Sequence, residues 1–226
     1  MIDIHAHILP FVDDGSKSVD SSVQMIKESL AQGITDIICT PHFRKEFKKT
    51  PEELKLAFNE LKETTSFLPV NLYLGQEIFV TRDLKKALSD GEVMTLNGTK
   101  FVLIEFSFDE EADIVESVYE LINLGYKPIV AHLERYFYAN LDLAEEIKNM
   151  GGYIQVNAES IVGKKNRKIK KFVKELLQND LVDFVASDIH ALRVNYMQKA
   201  NALVKKKYGE NLANKIFIEN AKEILK

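Results

Sequence analysis

The chain has 226 residues, 46% hydrophobic and 28% charged, a balance that supports a buried core and excludes an intrinsically disordered chain. Its net charge of −4 at pH 7 gives no global attraction to nucleic acid or anionic membranes, and no apolar stretch approaches the roughly 18 uncharged residues that span a bilayer. The N-terminus lacks the basic start and apolar core of a signal peptide and the lone cysteine has no internal partner; a cytoplasmic protein without nucleic-acid or membrane-inserted partners is therefore expected.

Ile2-Asp3-Ile4-His5-Ala6-His7 reads as a first strand, followed by Val19, Val23, Met25-Ile26 and Leu30 at helical spacing up to Gly33. A second strand run ends in Thr40-Pro41-His42. Thr50-Pro51-Glu52-Glu53 combines a capping box with proline at the first helical position, and starts a helix through Leu54, Phe58 and Leu61. Further strands are predicted over 71–77, 101–106, 127–132, 153–157 and 183–187, and helices around 110–124, 140–149, 167–179 and 195–208, with a short one near the C-terminus. About seven βα units result, with no Pro/Gly/Ser-rich linker between them, so residues 1–226 are expected to form a single domain. Near-continuous apolar runs such as Phe101-Val102-Leu103-Ile104 fit parallel strands buried on both faces. A closed barrel and an open doubly wound sheet both satisfy this pattern. No G-x-G-x-x-G follows the first strand, so the usual dinucleotide fingerprint is absent.

The histidines favour the barrel. All five, His5, His7, His42, His132 and His190, sit at or near the ends of strand-like runs, and the C-terminal ends of parallel barrel strands converge on one face. His5 and His7 point the same way about 7 Å apart, and Asp188-Ile189-His190 repeats that spacing with one oxygen and one nitrogen donor. Such a mixture suits borderline divalent metals. Glu77 and Glu105 each end an apolar run, where a charge is costly to bury unless paired or metal-bound. Asp14, in Val12-Asp13-Asp14-Gly15, would by itself read as a turn residue.

Taken together, Asp3-Ile4-His5-Ala6-His7, Asp13-Asp14-Gly15, Thr40-Pro41-His42, Gly75-Gln76-Glu77, Ile104-Glu105, Ala131-His132-Leu133-Glu134-Arg135 and Ala186-Ser187-Asp188-Ile189-His190 resemble the polymerase and histidinol phosphatase (PHP) superfamily. Within it, the chain is most similar to the manganese-dependent protein-tyrosine phosphatases of bacterial capsule and exopolysaccharide operons. The similarity runs in order over nearly the whole chain, including Phe217-Ile218-Glu219-Asn220-Ala221. It implies a distorted (β/α)7 TIM-like barrel of the PHP type, with its active site at the C-terminal ends of the strands. It further implies three divalent ions, manganese first, with iron, zinc or magnesium as alternatives. The implied ligands are His5, His7, Asp14, His42, Glu77, Glu105, His132, Asp188 and His190, with Glu77 bridging two ions. Arg135 and Arg193 match positions that contact substrate phosphate. The implied substrate is a phosphotyrosine-containing protein, the tyrosine-rich tail of a polysaccharide-synthesis kinase.

Rival readings remain open at this stage. A PHP phosphoesterase for a small metabolite such as histidinol phosphate, a nuclease-like member, or a catalytically dead binding module would share much of the pattern. Cys39 is not the nucleophile of a C-x5-R loop: Arg44 follows it after four residues, and Thr40-Pro41-His42-Phe43 offers no run of free amides. A small buried apolar role fits Cys39 better. Phe11, Phe43, Phe79, Phe106, Phe108, Tyr136, Phe137 and Tyr138 are candidates to wall a phosphotyrosyl slot, though packing explains most of them. Asp3 and Glu134 are candidates to orient ligating histidines, with purely structural roles an equal alternative. The basic run from Lys164 to Lys171 reads more simply as a solvated helix face than as a docking patch.

Overall fold

The computed structural model describes residues 1–226. Nine strands are present: β1 (Ile2–Ala6), β2 (Asp36–Cys39), β3 (His42–Phe43), β4 (Asn71–Leu74), β5 (Glu77–Phe79), β6 (Phe101–Glu105), β7 (Lys127–Val130), β8 (Tyr153–Asn157) and β9 (Phe184–Ala186). All named pairings are parallel, in the orders β1-β2-β4 and β3-β5-β6-β7-β8-β9. The ring closes between β9 and β1: Asp188 N donates to His5 O at 2.9 Å, His7 N donates to Ile189 O at 3.0 Å, and Ala6 bridges Ile189. The fold is a distorted parallel barrel, as expected.

Nine strands fill seven positions because two are broken. The expected strand over 71–77 splits at Gly75-Gln76 into β4 and β5, and the second strand splits at Thr40-Pro41 into β2 and β3. Pro41 has no N–H to continue a ladder. The breaks lie side by side, joined by Gly75 N donating to Cys39 O at 2.9 Å and Glu77 N donating to Pro41 O at 3.1 Å. Position 75 must be glycine here, since a Cβ would come within 2.7 Å of Leu96 Cδ2 and 3.0 Å of Leu96 Cα.

The helices are α1 (Val19–Ala31), α2 (Pro51–Thr64), α3 (Leu84–Ser89), α4 (Ile114–Asn123), α5 (Leu141–Met150), α6 (Ala158–Ile161), α7 (Arg167–Gln178), α8 (Met197–Tyr208) and α9 (Glu210–Asn214). The α2 capping box forms as predicted: Glu53 N donates to Thr50 Oγ1 at 3.2 Å, and Thr50 N donates to Glu53 Oε2 at 2.8 Å. α4 starts later than expected, because the Asp113 side chain caps it by accepting from Glu116 N at 2.9 Å. The short α3 and α6 were not anticipated; neither is long enough to show a full helical period in sequence.

Buried faces such as Ile26 of α1, Leu54 and Leu61 of α2, and Leu176 of α7 pack the helices onto the strands. Ile2, Phe101 and Phe184, each the first residue of its strand, pack with Ala221 and Ile224 of the C-terminal segment. That segment therefore covers the N-terminal ends of the strands. The opposite ends remain for chemistry.

Candidate active site

Every candidate metal-ligating residue lies in the C-terminal part of a barrel position or in the loop that follows, with His42 and Glu77 opening β3 and β5, the C-terminal pieces of the two broken strands. Between Asp3 and Ala6, β1 carries one residue more than β2 does between Ile37 and Cys39, and such a bulge re-aims side chains. His5 is in this bulge, and its Nε2 lies 3.1 Å from His7 Nε2 and 3.3 Å from Glu77 Oε1. β3 and β5 carry His42 and Glu77 as register partners, with His42 Nδ1 2.8 Å from Glu77 Oε2. His132 Nε2 reaches Glu77 Oε1 at 2.9 Å, and Glu105 Oε2 lies 3.5 Å from His42 Nδ1. Asp14 Oδ1 lies 3.4 Å from both His42 Nε2 and His190 Nε2. Asp188 Oδ1 is 3.5 Å from His7 Nε2 and 3.6 Å from His5 Nε2. All nine residues thus form one connected cluster, with Glu77 at its centre. His132 and Asp188 hold left-handed backbone, φ 35° and 49°, an uncommon state for non-glycine residues that concentrates at functional sites.

The donor chemistry fits cations. Glu77 Oε2, Glu105 Oε2, His42 Nδ1 and His132 Nδ1 are buried without a hydrogen bond, a costly condition unless something else satisfies them. The close pair of His42 Nδ1 and Glu77 Oε2 lacks hydrogen-bond geometry, as lone pairs converging on a common point would. Three groups bring their donor atoms within 4.8 Å of one another: His7, Asp14, His42 and His190; His5, His7 and Glu77; and His42, Glu77 and Glu105. His132 and Asp188 stand beside these groups through the contacts above.

A surrounding network fixes the imidazoles. His7 Nδ1 pairs with Asp13 Oδ2 at 2.7 Å, and Asp13 also accepts from His42 N and Gly15 N. The loop folds so tightly that a Cβ on Gly15 would lie 2.2 Å from His7 O. Gln155 Oε1 accepts from His5 Nδ1 at 3.2 Å and His132 N at 2.9 Å; its amide donates to Asn157 Oδ1, and Asn157 Nδ2 donates to Asp188 Oδ2 at 2.8 Å. Of the two roles open to Asp3 and Glu134, orienting a histidine or bracing structure, the contacts show the second. Asp3 accepts from the Ser187 and His5 amides, and Glu134 from the Asn157 amide. Both brace backbone, while Asp13 and Gln155 hold the rings. Gln155 and Asn157 escaped the sequence reading, although two carboxamides at i, i+2 on an otherwise apolar strand were a visible signal.

Burial lowers His132 to about 4, keeping its imidazole neutral. Burial acts on His5 in the same sense, but the Glu77 and Asp188 carboxylates outweigh it and raise the group to about 8. Glu105 is pushed up to about 8 by burial and by the charge of Glu77. Burial also raises the Cys39 thiol far above its ordinary value, and Cys39 is fully buried.

Beside the cluster lies a cavity of about 250 Å³. Arg135, Asp188 and Arg193 line it together, with Ile189, Val194 and Tyr196 as its apolar wall. Arg135 Nη1 donates to Asp188 Oδ2 at 3.2 Å, and its guanidinium lies 4.2 Å from the Phe108 ring centroid. Among the proposed aromatics, Phe106 and Tyr136 are core residues, with Phe106 N donating to Tyr136 OH, and Phe108 is the platform for Arg135. Tyr196 was missed because it stands six residues past His190, beyond the strand end that guided the choice.

The model of the family described as capsular polysaccharide synthesis, CpsB/CapC, matches residues 1–226. The chain belongs to the CpsB/CapC family. It is 38% identical to tyrosine-protein phosphatase CpsB of Streptococcus agalactiae, over all of this chain and 98% of that protein. It is 33% identical to tyrosine-protein phosphatase YwqE of Bacillus subtilis, over all of this chain and 92% of that one. A crystal structure from work on Bacillus subtilis YwqE and Streptococcus pneumoniae CpsB, described there as unique metal-dependent tyrosine phosphatases, superposes with a TM-score of 0.88 at 32% identity, covering 94% of this chain and 90% of that one. CpsB/CapC membership agrees with the resemblance drawn from the motifs.

Proposed function

We propose that the chain is a metal-dependent protein-tyrosine phosphatase of the capsule and exopolysaccharide system. The observation that carries this reading is the shared cavity: Arg135 and Arg193 line it with Asp188, which touches the histidine and carboxylate cluster. In the proposal His5, His7, Asp14, His42, Glu77, Glu105, His132, Asp188 and His190 hold three divalent ions, manganese first. Bound ions of this kind polarise phosphate oxygens and lower the pKa of bound water.

The chain's own groups then bind and orient the ester. Arg135 and Arg193 take the phosphate oxygens, and a guanidinium can do so with two parallel hydrogen bonds. Phe108 and Asp188 hold the Arg135 fork in place before substrate arrives. Ile189, Val194 and Tyr196 receive the aryl ring. Hydrolysis forms a P–O bond from water and breaks the P–O bond to the phenol, releasing tyrosine and inorganic phosphate. A phenolate leaving group, with a pKa of about 10, needs less protonation than a serine alkoxide, and no free acid beside the aryl wall is required.

Residues 1–226 act in this proposal as one catalytic domain. The substrate is a phosphotyrosyl protein, taken to be the tail of a polysaccharide-synthesis tyrosine kinase in the cytoplasm. No helix is long and apolar enough to cross a membrane. The test uses metal-stripped protein reloaded with manganese and compares a phosphotyrosyl peptide, a phosphoseryl peptide and histidinol phosphate. Preference for the phosphotyrosyl peptide is expected, and preference for histidinol phosphate would replace this reading with the small-metabolite one.

A further inference from the structure

One sequence feature has no part in the reaction above, namely the basic run from Lys164 to Lys171. Lys164, Arg167, Lys168, Lys170 and Lys171 are exposed, whereas Lys165 is half-buried and lines the cavity that holds Arg135 and Arg193. Its position follows from the chain. Asn157, at the end of β8, donates to Asp188; Glu159, two residues on in α6, lines the same cavity and holds Lys165 Nζ at 2.8 Å from its Oε2. Lys165 and Asn157 thus line one cavity, Asn157 bonded to the candidate ligand Asp188 and Lys165 held by Glu159. Nearby, Lys164 Nζ lies 6.0 Å from the ring centroid of Tyr196.

With the two arginines committed to the phosphate and Tyr196 to the ring, Lys165 is the cavity's remaining cation. Glu159 engages one of the three donors of its ammonium, and a partly exposed pair of this kind holds its partner only weakly against an incoming anion. We propose that Lys165 forms an anion subsite beside the phosphotyrosine pocket. The preferred substrate then carries a negative group next to the phosphotyrosine, either a carboxylate or a second phosphate monoester. This rests on the phosphatase reading and specifies its substrate class.

The test measures kcat and KM of the manganese-loaded full chain on phosphotyrosyl peptides matched except for one neighbour: glutamine, glutamate, lysine or a second phosphotyrosine. The wild type is expected to favour an anionic neighbour roughly three- to tenfold, mainly through KM. The preference should fade near 1 M salt, where charges are screened within about 3 Å. Lys165→Gln is expected to weaken the preference, and Lys165→Glu to reverse it toward the lysine peptide. A response to glutamate identifies a carboxylate as sufficient, and a response only to the second phosphotyrosine identifies the phosphate. Equal efficiency on all four peptides, or an anionic preference surviving Lys165→Glu, would overturn the subsite while leaving the phosphatase intact. Failure to hydrolyse any of the four would instead overturn the phosphatase reading itself.

Discussion

The carboxamide oxygen of Gln155 lies 3.2 Å from Nδ1 of His5, so a neutral side chain on β8 sets the tautomer of an imidazole on β1. Because Gln155 Oε1 can only accept, Nδ1 keeps a proton, and Nε2, which faces Glu77 and His7, is the nitrogen left to bind a metal. Gln155→Leu is therefore expected to keep the fold but weaken metal binding by about ten- to a hundredfold. Metal titration of stripped protein checks this, and an unchanged affinity would reduce Gln155 to a packing residue.

His5→Ala, Glu77→Ala and Asp188→Ala each remove a donor from the central cluster. Each variant is expected to lose phosphatase activity and part of its bound metal while staying folded. Metal stoichiometry and circular dichroism on the same preparations decide the matter; full metal content and turnover in all three would sink the ligand assignment.

Arg135 touches Asp188 and Phe108 but has no lone pair to offer a cation. Arg135→Ala is expected to retain metal and to lose roughly ten- to a hundredfold in kcat/KM on aryl phosphates, the size of a lost charged hydrogen bond of about 1.5–3 kcal/mol. Lysine at 135 should restore only part, lacking the planar fork. Wild-type efficiency in Arg135→Ala would remove it from the site.

Cys39 is fully buried, and its thiol is held protonated by burial. Thiol alkylating reagents should leave the folded enzyme active at pH 8, while chelators inhibit it. Cys39→Ser should stay within a few-fold of the parent. Loss of turnover in Cys39→Ser with fold and metal unchanged would reinstate a cysteine mechanism.

Gly75→Ala would drive a methyl group against Leu96 at the strand break. Overpacking of this kind costs about 1–3 kcal/mol, and in a chain of this size each 1 kcal/mol lowers Tm by about 2–4 °C. A thermal melt should show that loss together with poorer metal retention, and a variant as stable as the parent would mean that Leu96 moves aside freely.

Much of this was legible in the chain. Buried apolar runs announced parallel strands, and the histidines, Glu77, Glu105 and Asp188 at or near their ends announced a barrel with a site, because charges and imidazoles rarely close such runs by accident; Asp14, in a loop, was marked only by the family resemblance. What escaped had weaker local signals. The break at Gly75-Gln76 is a tertiary event, forced by the approach of Leu96 and by the neighbouring break at Pro41, and no period of two or of 3.6 encodes it. Gln155 and Asn157 are neutral and lie within a predicted strand, so neither charge nor imidazole marks them. Asp3 and Glu134 drew attention through their charge, yet they brace backbone amides, a partnership that depends on strands far apart in sequence.

The pairing of His42 with Glu77 also bears on how the chain reaches its native state. These residues sit opposite each other on strands only two and three residues long, and a slip of one residue in a strand turns its side chains to the other face. A chain that docked β3 against β5 one step out of phase would offer Phe43 or Ile78 where a donor is needed, and its affinity for cations would collapse. Cations held by the proposed ligands would therefore stabilise, by mass action, only the barrel in which β3 and β5 are paired in this register.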